Sequence, residues 1–522
     1  MLSYNVNNHV KPKLLLIPFI VREAHEQREL RGGTRPARDG VCSVTNPTHI
    51  RDGFVASTLA PNPDFIGFSP ASQTQKKVEI GFVTWYTTPM TRTYIKDLKS
   101  GHKVEIAGFI DTVRNQKSIM FIVLKDITGR VQVTVYKPEL PEIAAKLEPL
   151  QVGAVISITG EVKHAPNVKL GGIEVVPADV TVLSTALPSP INEKTGPDMA
   201  MDYRWIDLRD DKKRAVFQVM SIGELAFRNW FLSNGFIECH TPKITAFSSE
   251  GGSEVFELKY YDKKAYLTQS PQLFKQMAMA AGFERFFEIG AQYRAEKSYT
   301  SRHASESFAL DFEMSYIRDH HDVMDLEETM IKAVLAEIEQ KAGHILRDTL
   351  GIDFHAQTAK FPRITLEESY DLLKKERNYD VPRASKGDLD PEGERLLCEI
   401  SKEKYGSDFI FITDFPAATR AFYSMRHDDN PKLCRSFDLL YKGLEINSGA
   451  QREHNPEKLK ENMVAKGINP KDMAFYIQFF EYGCPPHGGI GLGLGRFFAR
   501  LMDLPALRDA TFLFRGPDRL AP

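Results

Sequence analysis

Near its C-terminal end the chain reads Gly-Gly-Ile-Gly-Leu-Gly-Leu-Gly-Arg, from Gly488 to Arg496. Three glycines at alternate positions (Gly491, Gly493, Gly495) leave one face of a strand without side chains, so that a flat ligand such as a purine can lie against the backbone. Arg496 follows at once, where a helix over Phe497–Leu504 is expected to begin, and a cation there suits a phosphate. A dinucleotide-binding βαβ unit would need G-x-G-x-x-G between a strand and a helix, with an acidic residue downstream. The run lies too near the C-terminus for such a unit to follow.

The chain has 522 residues, room for two or three domains and a large core. Net charge is −2, so no global basic field announces a nucleic-acid partner, and any RNA contact has to come from local basic patches. The five cysteines are scattered with no CxxC pair, which argues against a disulfide framework or a zinc site and for a reducing, cytoplasmic setting. Cys484 reads as a buried thiol rather than a nucleophile. No apolar run is long enough to span a membrane. Leu14–Val21 is short, contains Pro18 and lacks a cleavage site, and Glu23, Glu26, Glu29 and Asp39 are too acidic for a transit peptide.

Residues 1–89 show no sustained period and are rich in Pro, Gly, Asn, Thr and Arg. They read as a disordered extension or as one outside the mature protein, with Met90 a natural start. Over 90–183 five short β-rich runs begin at Val104, Met120, Val131, Val155 and Ile173, separated by turn residues, and predict an OB-type barrel. Its Arg114, Phe121, Gln132 and Lys125 offer cations, a ring and an amide, the kit that reads single-stranded RNA, although Phe121 taken alone reads as core. Residues 184–201 are a Pro-punctuated linker. The last segment, 202–522, opens with an amphipathic helix (Val216, Val219, Ile222, Ala226, Trp230, Phe231) ended by Gly235, then a strand stopped by Pro242. Residues 320–405 read as charge-laced packing helices, with His320-His321 a solvated pair.

Two further segments accompany the glycine run: YRAEKSYTSRH, with Arg294, Glu296 and His303, and GLEINSGAQR, with Glu445, Ser448 and Arg452. Together with the helix–strand–Pro242 unit they resemble the signature motifs of class II aminoacyl-tRNA synthetases, in the wording of the archaeal/eukaryotic-like aspartyl branch. The resemblance covers about residues 92–522 and implies an α+β protein: an anticodon-binding OB barrel followed by an antiparallel catalytic sheet flanked by helices. It implies a homodimer formed through the first motif, ATP as substrate with Mg²⁺, and tRNA as partner. Arg294 would bridge the substrate carboxylate and the α-phosphate. Glu296, two residues on and so on the same strand face, would orient ATP or the acceptor adenosine. His303, Gly493 and Arg496 would serve the phosphate and ATP side, and Phe308 would stack on adenine. Glu445 and Ser448 would hold Mg²⁺, with Asp438 a further candidate, though without the resemblance Glu445 is an ordinary salt-bridge partner. Arg114, Phe121 and Gln132 would read the anticodon.

The resemblance also bears on the amino acid. In QSPQLFKQ, Ser270, Gln272 and Lys275 stand between the first two motifs. Lys275 with Arg452 gives two cations for a side-chain carboxylate, which favours aspartate over asparagine because an unpaired buried charge is costly. Gln272 and Glu250 would take the substrate amino group, with Gly251-Gly252 making their loop a lid, and Asp311 and Glu313 would complete the polar wall. Competing readings are an asparagine enzyme, a non-catalytic tRNA-binding paralogue and an amide-forming synthetase without tRNA. They are disfavoured, in turn, by Lys275, by the retained Arg294, Glu445 and Arg496, and by the barrel. Phe109–Arg114 departs from the Trp-x-His type of wording of relaxed archaeal members, whereas the terminal FLFRGPDRLAP departs from the FPRD-type ending of the archaeal and eukaryotic branch and resembles bacterial members. The ending leans towards relaxed members that charge both tRNA-Asp and tRNA-Asn, the second product passing to an amidotransferase.

Overall fold

The computed structural model describes residues 92–247 and 254–522. The expectations for residues 1–89, for a start at Met90 and for the Glu250–Gly252 loop lie outside these residues. Strands β1 (Lys103–Asn115), β2 (Ile119–Lys125), β3 (Arg130–Tyr136), β4 (Val155–His164) and β5 (Ile173–Ser184) close into the expected barrel, in the order β1-β2-β3-β5-β4. Period-two alternation builds it: Met120, Ile122 and Leu124 of β2 are buried, while Ile119, Phe121 and Val123 between them are half-buried. Phe121 is therefore not core. It lies opposite the exposed Arg114 across β1–β2.

The second domain carries β6 (Ile237–Glu238), a small sheet of β7 (Ile244–Thr245), β8 (Glu257–Tyr260) and β9 (Lys263–Leu267), then β10 (Arg285–Tyr293), β11 (Glu306–Ser315), β12 (Arg363–Thr365), β13 (Phe409–Thr413), β14 (Ser436–Tyr441), β15 (Leu444–Gln451) and β16 (His487–Gly493). The large sheet runs β12-β13-β14-β15-β16-β11-β10-β6. Every pair from β13 to β10 is antiparallel, and only the edge pairs β12/β13 and β10/β6 are parallel. The helices Asp211–Ser233 and His320–His344 pack Val219, Phe227, Phe231, Ile331 and Ile338 into one core with Phe287, Phe312, Leu439 and Leu492 of the sheet. The fold is thus the expected α+β arrangement.

Local departures have local causes. Asp210 caps the Asp211–Ser233 helix by accepting from Lys212 and Lys213 N–H, and Gly235 ends it at φ +77°. The strand that follows is only Ile237–Glu238, at the sheet edge. Pro197–Asp202, at the end of the expected linker and one residue beyond it, is a helix with proline in its first turn. His320 is not solvated: it is 3% exposed, near Asp414 and His427. Lys125 points away from an RNA-reading role. Its Nζ donates to Arg209 O (2.5 Å) and pairs with Asp211 (2.9 Å), which pins the barrel to the start of the long helix. No helix among the described residues is long and apolar enough to cross a membrane.

Candidate active site

β16 lies between β15 and β11, so its bare face opens into a cavity of about 500 Å³. A Cβ on Gly489 would sit 2.0 Å from Phe312 O and one on Gly491 would sit 3.2 Å from Asp311 Oδ1, whereas Gly493 has nothing nearer than 3.6 Å. Gly493 is therefore the glycine that leaves space for a ligand, while Gly489 is required by its neighbouring strand. Gly495 is not on the strand at all. The helix is Leu494–Leu501 rather than Phe497–Leu504, and a Cβ on Gly495 would meet Leu507 at 2.5 Å. Arg496 is consequently in the first turn of that helix.

Around Gly489–Gly491 the cavity wall is charged and already paired. Lys275 is 1% exposed and donates to Asp311 Oδ1 (2.9 Å) and Ile490 O (2.8 Å), with Glu313 Oε2 at 3.4 Å. Arg452 donates from Nε to Glu313 Oε1 (3.0 Å) and from Nη2 to Gly489 O (2.9 Å). Its guanidinium lies over the Tyr423 ring at 5.4 Å. Gln292 Nε2 donates to Asp311 Oδ2 at 2.7 Å. Burial alone would raise the Glu313 carboxyl, but Arg452 and Lys275 outweigh it and hold it below the ordinary range. At Asp311 burial wins over Lys275, and the carboxyl is pushed up. Ser270 and Gln272 line the same end.

The Gly493 end is open. β10 stops at Tyr293, so Arg294 and Glu296 lie past the strand and the expected shared strand face does not exist. Arg294 lines the cavity, is exposed, and makes no side-chain hydrogen bond or ion pair among the described residues. Glu296 is half-buried and does not line it. Phe308 is 57% exposed and presents its ring to the cavity. His303 Nδ1 lies 2.5 Å from Thr300 Oγ1, and burial with the Arg496, Arg302 and Arg294 charges holds its imidazole below the ordinary value. Arg496 donates to Glu445 O (3.0 Å) and Arg302 O (3.4 Å). Arg302 forks onto Glu394 (3.2 and 3.3 Å), whose Oε2 also accepts from Glu445 N.

The third cluster is acidic. Asp438 lies directly across β14–β15 from Ser448, and Glu445 pairs with Leu440, two residues along β14 from Asp438 and past a bulge. Burial, then the Asp438 carboxylate, pushes Glu445 up to about 7. Asp438 Oδ1 is buried without a hydrogen-bond partner. Arg420, from the β13–β14 loop, donates to Asp438 Oδ2 (2.5 Å) and Ser448 Oγ (3.1 Å) and stacks on Phe415. Nothing in the spacing of DFPAATRAFY singles out Arg420. No group of three His, Cys, Asp or Glu among the described residues forms a cation site. In the barrel, Gln132 lies next to Glu174 and Thr134, its Nε2 3.2 Å from each.

The comparisons with known proteins agree with this architecture. The family model of class II tRNA synthetases (D, K and N) matches residues 196–515, and that of the OB-fold nucleic acid binding domain matches 104–183. The Aspartate--tRNA(Asp) ligase of Pyrococcus horikoshii is 40% identical over 443 residues, covering 83% of this chain and 100% of the relative. The Aspartate--tRNA(Asp/Asn) ligase of Aeropyrum pernix is 39% identical over 434 residues, covering 82% and 97%. Among solved structures, asparaginyl-tRNA synthetase from Pyrococcus horikoshii complexed with asparaginyl-adenylate superposes with TM-score 0.75 at 30% identity, covering 83% of this chain and 100% of that one. Aspartyl tRNA synthetase from Entamoeba histolytica gives 0.74 at 28%, covering 90% and 100%. With a catalytic-domain model spanning more than half its length and an OB barrel in front of it, this chain belongs to the class II tRNA synthetases of the D, K and N group.

Proposed function

We propose that this protein is an aspartate–tRNA ligase. It activates L-aspartate with ATP to aspartyl-adenylate and transfers it to the 3′ end of tRNA-Asp, and of tRNA-Asn as well. The observation that carries the reading is the Lys275–Arg452 pair buried at the closed end of the cavity. A neutral asparagine amide offers those cations no charge. Lys275 is already committed to Asp311, Glu313 and Ile490 O, so Arg452, whose Nη1 makes no hydrogen bond among the described residues, gives the open donor for the substrate β-carboxylate.

In this reading the substrate α-carboxylate attacks the α-phosphate and pyrophosphate leaves. The chain positions the two reactants and screens charge, and it supplies no base or nucleophile. Unpaired Arg294 is free to take both the carboxylate and the α-phosphate. Phe308 stacks on adenine over Gly493, and His303 and Arg496 face the distal phosphates. Glu296, outside the cavity wall, is left to the acceptor end of tRNA, and Gln272 with Glu250 takes the ammonium group. The acidic cluster fits Mg²⁺: Asp438 Oδ1 has no partner and Glu445 is raised by its acidic neighbour, so a hard cation would relieve both. Asp438, Glu445 and Ser448 would hold it, and it would supply countercharge to the phosphates. Arg114, Phe121 and Gln132 on the barrel exterior read the anticodon. The first-motif helix and its edge strand form a homodimer interface, and the setting is cytoplasmic. Relatives of both the Asp and the Asp/Asn kind are similar to this chain, and FLFRGPDRLAP favours the relaxed kind, which requires an amidotransferase downstream.

The test is charging of purified tRNA-Asp and tRNA-Asn transcripts with labelled aspartate, with asparagine in parallel. Comparable charging of both transcripts with aspartate is expected. Charging of tRNA-Asp alone makes the enzyme strict, and use of asparagine instead overturns the reading.

A further inference from the structure

Behind the closed end of the cavity runs a chain of buried hydrogen bonds that reaches the cavity wall at Gln272. His487 Nδ1 lies 2.8 Å from Pro485 O. A carbonyl oxygen only accepts, so Nδ1 carries the proton and donates. The Cys484 thiol, at 3.6 Å from the same nitrogen, is the weaker partner. Burial holds the imidazole down to about 4, so the ring is neutral and Nε2 has only a lone pair to offer. The group 3.0 Å from Nε2 is the Gln276 amide nitrogen, which must therefore donate. That leaves Gln276 Oε1 as the acceptor, and it takes Tyr476 O–H (2.8 Å) and Gln272 Nε2–H (2.9 Å). Gln276, Tyr476 and His487 are all fully buried, so no water competes for these positions.

We infer that Gln276 is a positioning residue: anchored by His487, it fixes the Gln272 side-chain amide with Nε2 turned inward and the carbonyl Oε1 left to the cavity as an acceptor for a substrate ammonium group. The inference rests on the aspartate reading given above. Gln272 and Gln276 are four residues apart on the helix Gln272–Ala280, one turn on the same face, which lets one amide set the other. Gln272 lines the cavity, and its Oε1 makes no hydrogen bond among the described residues. Reversing any one member of the chain would set two donors or two acceptors against each other, so the polarity of the Pro485 carbonyl is passed on to the cavity wall. The consequence is selectivity for the ammonium end of the substrate: an amide presenting N–H there would repel an ammonium group and accept a carboxylate.

The experiment compares Gln276→Leu with Gln276→Glu in the full-length enzyme, by aspartate-dependent ATP–pyrophosphate exchange and by inhibition with succinate, which lacks the ammonium group. Gln276→Leu frees Gln272 to turn. The KM for aspartate is expected to rise on the order of ten- to a hundredfold, the factor carried by one hydrogen bond to a charged group, while succinate inhibition and the KM for ATP stay within about threefold. Gln276→Glu, kept protonated by its full burial, accepts from Gln272 and Tyr476 through its carbonyl oxygen and donates its O–H to His487 Nε2, and is expected to keep the aspartate KM within about threefold. If Gln276 only fills space, the order reverses, because leucine packs and a buried carboxyl group does not; that order overturns the inference, as does an equal loss of aspartate and succinate binding. Should the leucine variant not fold, Gln276→Met, whose thioether is only a weak hydrogen-bond acceptor, takes its place. Absence of aspartate-dependent exchange in the unaltered enzyme, or an aspartate KM that Gln272→Ala leaves unchanged, strikes the functional reading instead.

Discussion

The two ends of the cavity share the strand β16 yet are built on opposite plans. At Gly489–Gly491 the charged groups are buried and ion-paired with one another before any ligand arrives, Lys275 and Arg452 against Asp311 and Glu313, with Gln292 on Asp311 and Arg452 Nη1 left as the open donor. At Gly493 the wall is more open: Arg294 has no side-chain partner among the described residues and Phe308 has more than half its surface exposed, while Arg496 is held by the carbonyls of Glu445 and Arg302. The contrast follows from what each end would hold. A small charged amino acid is selected by a rigid, pre-paired lattice in which one wrong group leaves a buried charge uncompensated. A nucleotide brings its own charges and a large flat surface, and is gripped by side chains that wait in solvent.

If this contrast is right, mutations at the closed end damage folding and function together, whereas those at the open end damage function alone. The largest effect is expected for Lys275→Met, which strips Asp311 and Glu313 of their shared cation. Removing one partner of a buried pair costs about 3–5 kcal/mol. Chemical denaturation should register that loss beside a fall of about a thousandfold in aspartate-dependent pyrophosphate exchange. A variant as stable as the parent would break the comparison. Next comes Arg294→Ala, expected to lower exchange by about 10²–10³, the range for losing one preorganised donor to developing charge, with stability unchanged within about 0.5 kcal/mol.

Phe308→Ala should be milder. One stacked base is worth about 1–3 kcal/mol, so the KM for ATP is expected to rise by a factor between about 5 and about 150 while the KM for aspartate stays put. A matching change in both constants would show that the two ends are not independent. The smallest effect concerns the acidic cluster between them. Glu445 is raised to about 7, so its contribution to stability is full at low pH and is lost as pH rises from the ordinary carboxylate value through about 7. Under the proposed role of the acidic cluster, Mg²⁺ would bind the ionised form. The magnesium-induced rise in Tm should therefore be larger at pH 8 than at pH 6, and Glu445→Gln should flatten that difference.

Five short β-rich runs are enough to predict the barrel, and three motifs in order carry the family and most cavity residues, because strand periodicity and local motif wording are short-range properties. Sequence alone errs where the outcome depends on distant partners. Phe121 and Lys125 belong to one strand, but only the packing of the barrel on the long helix decides that the first faces out and the second is tied to Asp211. Arg294 and Glu296 are two residues apart, yet β10 ends before both, so period two does not apply. His320 looks like a polar helix start, and its burial is decided by the loop carrying Asp414 and His427. Arg420, Gln276 and His487 belong to the site only because chain segments far apart in sequence converge on it. Residue type and spacing specify which chemistry is available. Which groups are buried, which are paired and which wait for a ligand is settled only when the sheet, the helices and the loops close on one another.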